Sequence, residues 1–146
     1  MKFTCSVEIN RPAKQVAELF ANNVLLSKWQ RGFLSKSLVS GLEGKEGSKS
    51  KILMEYNKRK MELIETVLEN KLPKEITSLY EHEHMDNTMQ VIFTEKNGKT
   101  KMDVVIHYTQ FKGIMPKLMS VLFPGMFRKQ VQQMINDFKA FAESQH

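Results

Sequence analysis

The sequence is poor in cysteine, and Cys5 is the only one among 146 residues. A single thiol cannot form a disulfide within the chain, so we expect the protein in a reducing compartment, the cytoplasm. No run of about 18 apolar residues occurs, which predicts that no helix spans a membrane. The opening segment MKFTCSVEIN lacks the apolar stretch of a secretion signal, so we expect no export.

Catalytic and nucleic-acid-binding patterns are also absent. The sequence has no G-x-S-x-G motif, phosphate-binding loop, dinucleotide fingerprint or supported Cys–His pair. The net charge is +6, but the densest basic stretch, residues 45–60, is interrupted by Glu46 and Glu55. Because a nucleic-acid-binding protein gathers its charge on one face or run, we expect no nucleic-acid partner. Without repeats or linkers, residues 1–146 are expected to form one domain.

The first thirty residues predict a strand followed by two short helices. In KFTCSVEIN the apolar side chains alternate with polar ones, which is typical of a half-buried strand. The next segment is RPAKQVAELFANN, where Pro12 suits a first helical turn and Asn10 is close enough to cap the helix. The segment VLLSKW then predicts one further helical turn.

Residues 32–110 predict a meander of six strands, in which the last hairpin is the clearest element. Asn97-Gly98 is the favoured two-residue hairpin turn, so it fixes the register of the flanking strands. Counting outward from the turn predicts three pairs on the inner face: Phe93 with Met102, Val91 with Val104, and Met89 with Ile106. The same count places His107 on the outer face.

The C-terminal region predicts a long amphipathic helix after Gly113. Its stripe of apolar residues, at spacings of four and three, consists of Phe127, Val131, Met134, Phe138 and Phe141. Upstream, residues 118–123 are apolar on most sides, and Ser120 is their one polar residue. Pro124-Gly125 separates these parts, although proline in a helix interior costs roughly 3 kcal/mol and glycine about 1 more.

Three segments resemble the START-like or SRPBCC superfamily, which has the helix-grip fold. They are VEINRPAKQVAELFANNVLLSKW near the start, the glycine-marked turn GKEGSKSKI, and the terminal helix QVQQMINDFKAFAE. The chain is most similar to bacterial members described as polyketide cyclase/dehydrase-like. The resemblance implies an α+β fold: a curved antiparallel sheet of about seven strands, two short helices after the first strand, and a long C-terminal helix across the sheet. It also implies an enclosed apolar cavity for a hydrophobic ligand, with no cofactor.

The resemblance suggests a role for the Pro124-Gly125 break. A bend would help a long helix to grip a curved sheet. We interpret Leu118–Phe123 as a wall or gate over the mouth of the cavity. The alternative is two separate helices, the first of them buried by loops or by a partner subunit in a homodimer.

We expect the cavity to be mostly apolar with a few polar anchors. The candidate lining residues are Tyr56, Tyr80, His82, Met89, Phe93, Met102, Tyr108, Met119, Phe123 and Phe127. The sequence pattern does not decide which face of the strands in residues 60–83 points inward, since Glu65 lies on one face of its strand and Glu62 on the other. In the alternative view, some of these side chains point to solvent and the others fill a solid core.

His82 and His84 share a strand face at a spacing that could bind a metal. A zinc site needs three or four convergent ligands, so a solvated strand end is favoured and we expect no metal.

Binding of a hydrophobic small molecule or lipid, for transport, sequestration or sensing, is the leading functional hypothesis. The first alternative is an enzyme of cyclase, dehydratase or hydrolase type, in which Glu65, Tyr80 or His82 acts as acid or base. The second alternative is a co-chaperone-like interaction domain that uses the outer sheet face or residues 118–123.

Overall fold

A seven-stranded antiparallel sheet forms the body of the molecule in the computed structural model, which describes residues 1–145. The predicted domain boundary at His146 lies outside the described residues. The strands are β1 (Lys2–Ile9), β2 (Phe33–Ser40), β3 (Lys49–Tyr56), β4 (Arg59–Lys71), β5 (Glu75–Glu81), β6 (Met85–Lys96) and β7 (Lys99–Phe111). Their order across the sheet is β1-β7-β6-β5-β4-β3-β2. The predicted strand, followed later by a six-strand meander, is therefore confirmed.

Four α-helices complete the fold. They are α1 (Ala13–Ala21), α2 (Leu26–Trp29), α3 (Ile114–Leu122) and α4 (Pro124–Ser144), with a 3-10 turn at Asn23–Leu25 before α2. The N-terminus of α1 differs from the prediction that Asn10 caps it. The carboxylate of Glu95 accepts a hydrogen bond from the Ala13 backbone N–H at 2.7 Å, while the Asn10 backbone N–H donates to Glu143. Glu95 and Glu143 both lie far from the start of α1 in the sequence.

The β6–β7 hairpin has the register that its turn predicted. Phe93 pairs with Met102, Val91 with Val104, and Met89 with Ile106. The inner-face residues Val91, Met102 and Val104 are fully buried, whereas His107 is exposed. The asparagine at the turn adopts a positive φ of 55° and Gly98 one of 75°, the backbone geometry that this tight turn requires.

Helix α4 is the long C-terminal helix, and it lies along β1 and the apolar face of the sheet. Its buried residues are Phe127, Ile135, Phe138 and Ala142. The Arg128 guanidinium lies over the Phe3 ring at 5.4 Å and donates to the Thr4 carbonyl, which fastens the helix to the edge strand. The predicted apolar stripe is therefore the face that packs on the sheet.

The Pro124-Gly125 break separates two helices instead of bending one. Phe123 is the last residue outside α4, with φ −132° and ψ 56°, and Pro124 occupies the first turn of α4. Proline is favoured at this position, because its missing N–H has no partner within the helix in any case. Helix α3 has no buried residue. The alternative of two helices fits the structure, but the expectation that loops bury the first one does not.

The buried core occupies one side of the molecule. Its members come from β1, α1, α2, β6, β7 and α4, and they are Phe3, Cys5, Ile9, Val16, Ala17, Trp29, Val91, Phe93, Met102, Val104, Ile106, Phe127, Ile135, Phe138 and Ala142. Aromatic contacts join its layers: the ring of Phe20 lies 5.8 Å from that of Phe93 and 5.4 Å from that of Phe138. Towards β3, β4 and β5, the space between sheet and helices is left open.

Candidate functional site

This open space is a cavity of about 290 Å3 between the inner face of the sheet and the helices α1, α2 and α4. Its apolar wall is formed by Phe20, Leu26, Trp29, Ile52, Met54, Leu63, Val67, Leu72, Ile76, Met89, Val91, Ile106, Tyr108, Val131 and Met134. Helix α4 contributes two of these residues, Val131 and Met134, which follow Phe127 along the stripe. The same helical face thus packs the core at some turns and closes the cavity at others.

A cluster of polar side chains occupies the opposite wall. The Lys36 Nζ lies 2.8 Å from Glu65 Oε1, and the two side chains are only 13% and 12% exposed. The Tyr80 hydroxyl donates to Glu65 Oε2 at 2.6 Å. Lys36 Nζ also donates to Asn23 Oδ1 at 3.0 Å, which links the cluster to the turn before α2. We call Asn23, Lys36, Glu65 and Tyr80 the polar cluster.

The register of the strands brings the polar cluster together. Glu65 on β4 lies directly opposite Tyr80 on β5, and opposite Ser50 on β3. Lys36 comes from β2, one strand further away, and pairs with Ile52. The small side chain of Ser50 on the intervening strand leaves space for the lysine to extend across β3. This arrangement also settles the open question of strand faces, since the face bearing Glu65 points into the cavity and Glu62 is exposed.

Electrostatics keep the cluster paired and the tyrosine protonated. Burial, together with the charge of Glu65 and the hydrogen bond to it, raises the pKa of Tyr80 well above its usual value of 10. The phenol is therefore a hydrogen-bond donor at neutral pH. Both carboxylate oxygens of Glu65 are engaged, one by Lys36 and one by Tyr80. Lys36 has three donors and uses two of them, so one N–H remains available to a molecule in the cavity.

Trp29 provides a second feature of the cavity wall. Its indole lies between Phe20 and Phe138, at 5.8 Å and 4.9 Å between ring centroids. Within residues 1–145, its Nε1 is the one fully buried side-chain nitrogen or oxygen without a hydrogen-bond partner. A buried donor without an acceptor costs about 1–3 kcal/mol.

Three of the ten predicted lining residues lie on the cavity wall: Tyr80, Met89 and Tyr108. Tyr108 lies on β7, and burial raises its pKa to about 12. Phe93, Met102 and Phe127 do not line the cavity, because neighbouring side chains cover them. Phe93 packs under Phe20, and the Phe127 ring packs 5.1 Å from that of Tyr108. These three belong to the buried core instead.

Tyr56 and His82 lie at the ends of their strands, beyond the cavity, in an open cleft. His82 is held in the turn after β5, where its Nδ1 accepts a hydrogen bond from the His84 backbone N–H at 3.1 Å. Burial, followed by the charge of His84, lowers its pKa. No set of three or more His, Cys, Asp or Glu side chains in residues 1–145 is arranged to hold a metal ion.

Met119 and Phe123 lie on or directly after α3 and do not line the cavity either. Phe123 is exposed and Met119 is half-buried. The interpretation of Leu118–Phe123 as a cavity wall is therefore not supported. The physical reason is the helix break at Phe123: α3 ends before it, so within the described C-terminal region only α4 lines the cavity.

Sequence reasoning missed Lys36, Asn23 and Trp29 as parts of the site. One signal was present for the lysine: alternation along FLSKSLVSGL places it in phase with Leu34 and Leu38. Irregular pairing of β2 with β3 on either side of Lys36 weakens that pattern, and both leucines are exposed. Nothing in the local sequence indicated that Asn23 or Trp29 faces a cavity.

No protein-family model matches the chain, and no curated protein matches it in sequence. Among the described residues, none of the helices has the length and apolar character needed to cross a bilayer.

Solved structures match it over nearly the whole length. A START superfamily protein from Mycobacterium smegmatis is 11% identical, with a TM-score of 0.80 over 98% of this chain and 97% of its own. Major latex-like protein 151 from Panax ginseng is 17% identical, with a TM-score of 0.76 over 97% of each chain. A conserved protein from Geobacillus kaustophilus is 16% identical, with a TM-score of 0.79 over 99% of this chain and 96% of its own. Likeness at such low identity concerns architecture, and by its architecture the chain has the same helix-grip fold as these proteins.

Proposed function

We propose that the chain is one helix-grip domain that binds a hydrophobic small molecule in the enclosed cavity. The observation that carries this proposal is the cavity of about 290 Å3, whose wall is mostly apolar and contains the polar cluster. Side chains around an empty apolar space lose the packing contacts that a filled core would give them. A ligand of matching shape restores those contacts, so its binding is favourable.

The size and charge of the cavity define the class of ligand. Its volume is near the lower end of the range of about 300–1,000 Å3 for small-molecule sites, which suits a compact ring system or a short chain. Lys36 and Glu65 compensate each other's charge, and the third charged lining residue, Glu43, is exposed to solvent, so the site favours a neutral ligand. The remaining N–H of Lys36 favours one hydrogen-bond acceptor, such as a carbonyl or ether oxygen, at the end near β2.

Binding is favoured over catalysis by the state of the polar cluster. Each oxygen of Glu65 already accepts one hydrogen bond, which leaves fewer of its lone pairs for a substrate that a general base would have to contact. Tyr80 stays protonated and donates to that carboxylate. The cyclase, dehydratase and hydrolase alternatives, and the polyketide cyclase resemblance, would therefore use a carboxylate already held by two donors, or His82, which lies outside the cavity. Transport, sequestration and sensing require only the binding step.

A cytoplasmic location fits the state of the one cysteine. Cys5 is buried as a free thiol, and burial raises its pKa, which keeps it unreactive.

The first experiment is native mass spectrometry of the gently purified protein. We expect a retained small molecule that is released by organic solvent. In parallel, the neutral apolar dye N-phenyl-1-naphthylamine should bind with a fluorescence increase. The replacement Val131→Trp fills the cavity from α4 and should weaken dye binding roughly tenfold or more. Gln133→Trp, two residues away on the exposed side of the same helix, is the matched control and should leave it unchanged.

A matched pair of ligands tests the polar anchor. 2-Acetylnaphthalene carries one acceptor that 2-ethylnaphthalene lacks, at nearly the same shape. We expect the acetyl compound to bind roughly fivefold more tightly, and Lys36→Met to remove that preference. If the wild type retains no ligand and binds no dye, or if Val131→Trp and Gln133→Trp bind alike, the cavity is not the binding site.

A further inference from the structure

Helix α3 presents its apolar side chains to solvent. Five of its nine residues are exposed apolar ones: Ile114, Met115, Leu118, Val121 and Leu122. Phe123 and Met126, directly after the helix, are exposed as well. The residues turned towards the body of the protein are Pro116, Met119 and Ser120, which are half-buried. An amphipathic surface helix normally has the opposite orientation.

The exposed apolar residues form one continuous face. At 3.6 residues per turn, the five of them fall within an arc of about 120° around the helix axis. Lys117 borders this arc on one side and is exposed. A helix with an apolar face and basic residues at its border is the type that lies in the plane of a membrane surface.

The chain segment around α3 carries charge of one sign. Residues 104–136 contain no Asp or Glu, and their Lys and Arg residues are Lys112, Lys117, Arg128 and Lys129. Lys112 is neutralised by Asp86 from β6, at 2.8 Å. The other three cations lie on α3 or on the first two turns of α4, and the net charge of the whole chain is +6.

We propose that α3 docks on the surface of an anionic lipid bilayer, with its apolar face among the acyl chains near the headgroups and with Lys117, together with Lys129 of α4, against the headgroup charges. A second copy of the chain fits this face less well, because a symmetric dimer would bring two surfaces of the same positive charge together. The face is also small. A nine-residue helix is about 14 Å long, whereas a stable protein interface buries about 800 Å2 per partner.

This proposal does not depend on what occupies the cavity, so it is tested on the full chain with lipid alone. The measurement is co-sedimentation with vesicles of phosphatidylcholine, with and without about 30 mol% phosphatidylserine. We expect the partition coefficient to be roughly a hundredfold higher on the anionic vesicles at low salt, from three cations at about fivefold each. At about 1 M salt, where charges are screened beyond about 3 Å, this difference should disappear.

Two pairs of variants locate the contact on α3. Val121→Ser with Leu122→Ser should lower partitioning roughly tenfold. The matched control is Val24→Ser with Leu42→Ser, which removes the same residue types at similar exposure: 81% and 72%, against 71% and 58% on α3. Lys117→Gln with Lys129→Gln should lower partitioning roughly thirtyfold. Lys14→Gln with Lys28→Gln changes the net charge equally but on α1 and α2, and should have little effect.

Three results would overturn the proposal. The wild type could fail to bind anionic vesicles, or the control pairs could lose as much binding as the α3 pairs. Sedimentation velocity could also show a dimer that Val121→Ser with Leu122→Ser dissociates, in which case a second copy covers the face. A monomer that partitions as described, with circular dichroism unchanged in the variants, supports membrane docking.

Discussion

Lys36 and Glu65 form a nearly buried ion pair whose partners depend on each other. Glu65→Gln leaves the lysine charge in the cavity wall without its counter-charge, and we expect the free energy of unfolding to fall by roughly 2–4 kcal/mol. The double replacement Lys36→Met with Glu65→Leu removes both charges and should cost less than Glu65→Gln alone. Urea denaturation of Glu65→Gln and of the double variant measures the change in the free energy of unfolding for each.

The control for this pair is a more exposed ion pair between the neighbouring strands β3 and β4. Lys51 and Glu62 are 3.7 Å apart and more exposed, so Glu62→Gln should change the free energy of unfolding by no more than about 1 kcal/mol. Equal losses for Glu62→Gln and Glu65→Gln would mean that burial adds nothing to the cavity pair.

Tyr108 predicts a loss of stability at alkaline pH. Burial raises its pKa to about 12, whereas the unfolded chain releases the phenolic proton near the ordinary value of 10. Between these two values the folded state binds more protons, so the free energy of unfolding falls as pH rises from about 10 to 12. The fall due to this group is at most about 2–3 kcal/mol, and Tyr108→Phe should remove it. The half-exposed Tyr56 is the control, since Tyr56→Phe should flatten the pH profile much less.

At the scale of elements, the phenylalanine just before α4 and the first one inside it differ sharply in what they contribute to stability. Phe127, in α4, is 5% exposed and packs on Tyr108 and Phe111, so Phe127→Ala should destabilise the protein by roughly 3–5 kcal/mol. Phe123, four residues earlier, is 54% exposed, and Phe123→Ala should cost less than about 1 kcal/mol. Chemical denaturation compares them directly. Similar costs would contradict the boundary that we place at Phe123.

Gly125 predicts a stabilising replacement in the first turn of α4. A Cβ built there meets no atom within 4 Å, so alanine fits without strain. Because glycine costs a helix about 0.5–1 kcal/mol relative to alanine, Gly125→Ala should raise the free energy of unfolding by about that amount. Gly32→Ala provides the contrast: its φ is +78° and its Cβ would lie 2.5 Å from the Glu55 carbonyl oxygen. A destabilised Gly125→Ala variant would show that the helix junction needs a glycine.

The elements that sequence predicted best are those decided by local chemistry. The Asn97-Gly98 turn determined the hairpin register, because the type of turn leaves one alignment of the flanking strands. The cap of α1 could not be predicted in this way, since Glu95 comes from β6. The orientation of α3 was also beyond sequence reasoning. Its apolar residues indicate burial under the usual rule, and only the fold shows that this face is open.

At the scale of the whole molecule, the sequence predicted the helix-grip architecture but not the contents of its cavity. The resemblance of segments at both ends of the chain specified the architecture, which the solved structures confirm. The polar cluster combines side chains from β2, β4, β5 and the turn before α2, so it depends on three strand registers at once. Irregular pairing in β2 and in β4 shifts the inward and outward alternation of side chains. The inward-facing residues of these strands therefore cannot be counted from the sequence alone.

The uneven distribution of buried core predicts uneven local stability. Core residues come from β1, β6, β7 and α4, whereas β2 is an edge strand with mostly exposed residues. In native-state hydrogen exchange, we expect amides of β6 and β7 to open only with global unfolding and amides of β2 and β3 to open more readily. An added cavity ligand should slow exchange in β3, β4 and β5 most. Uniform protection across all seven strands would contradict this division.

The separation of the dry core from the cavity wall has a consequence for mutational tolerance. Residues that hold the fold together and residues that line the cavity lie largely on different strands, so the second group can vary while the first keeps the protein folded. Apart from the Lys36–Glu65 pair, substitutions on β3, β4 and β5 can therefore change the shape of the cavity without a large loss of stability. A scaffold divided in this way suits directed evolution, with libraries confined to Ile52, Leu63 and Ser78 and selected for new specificity.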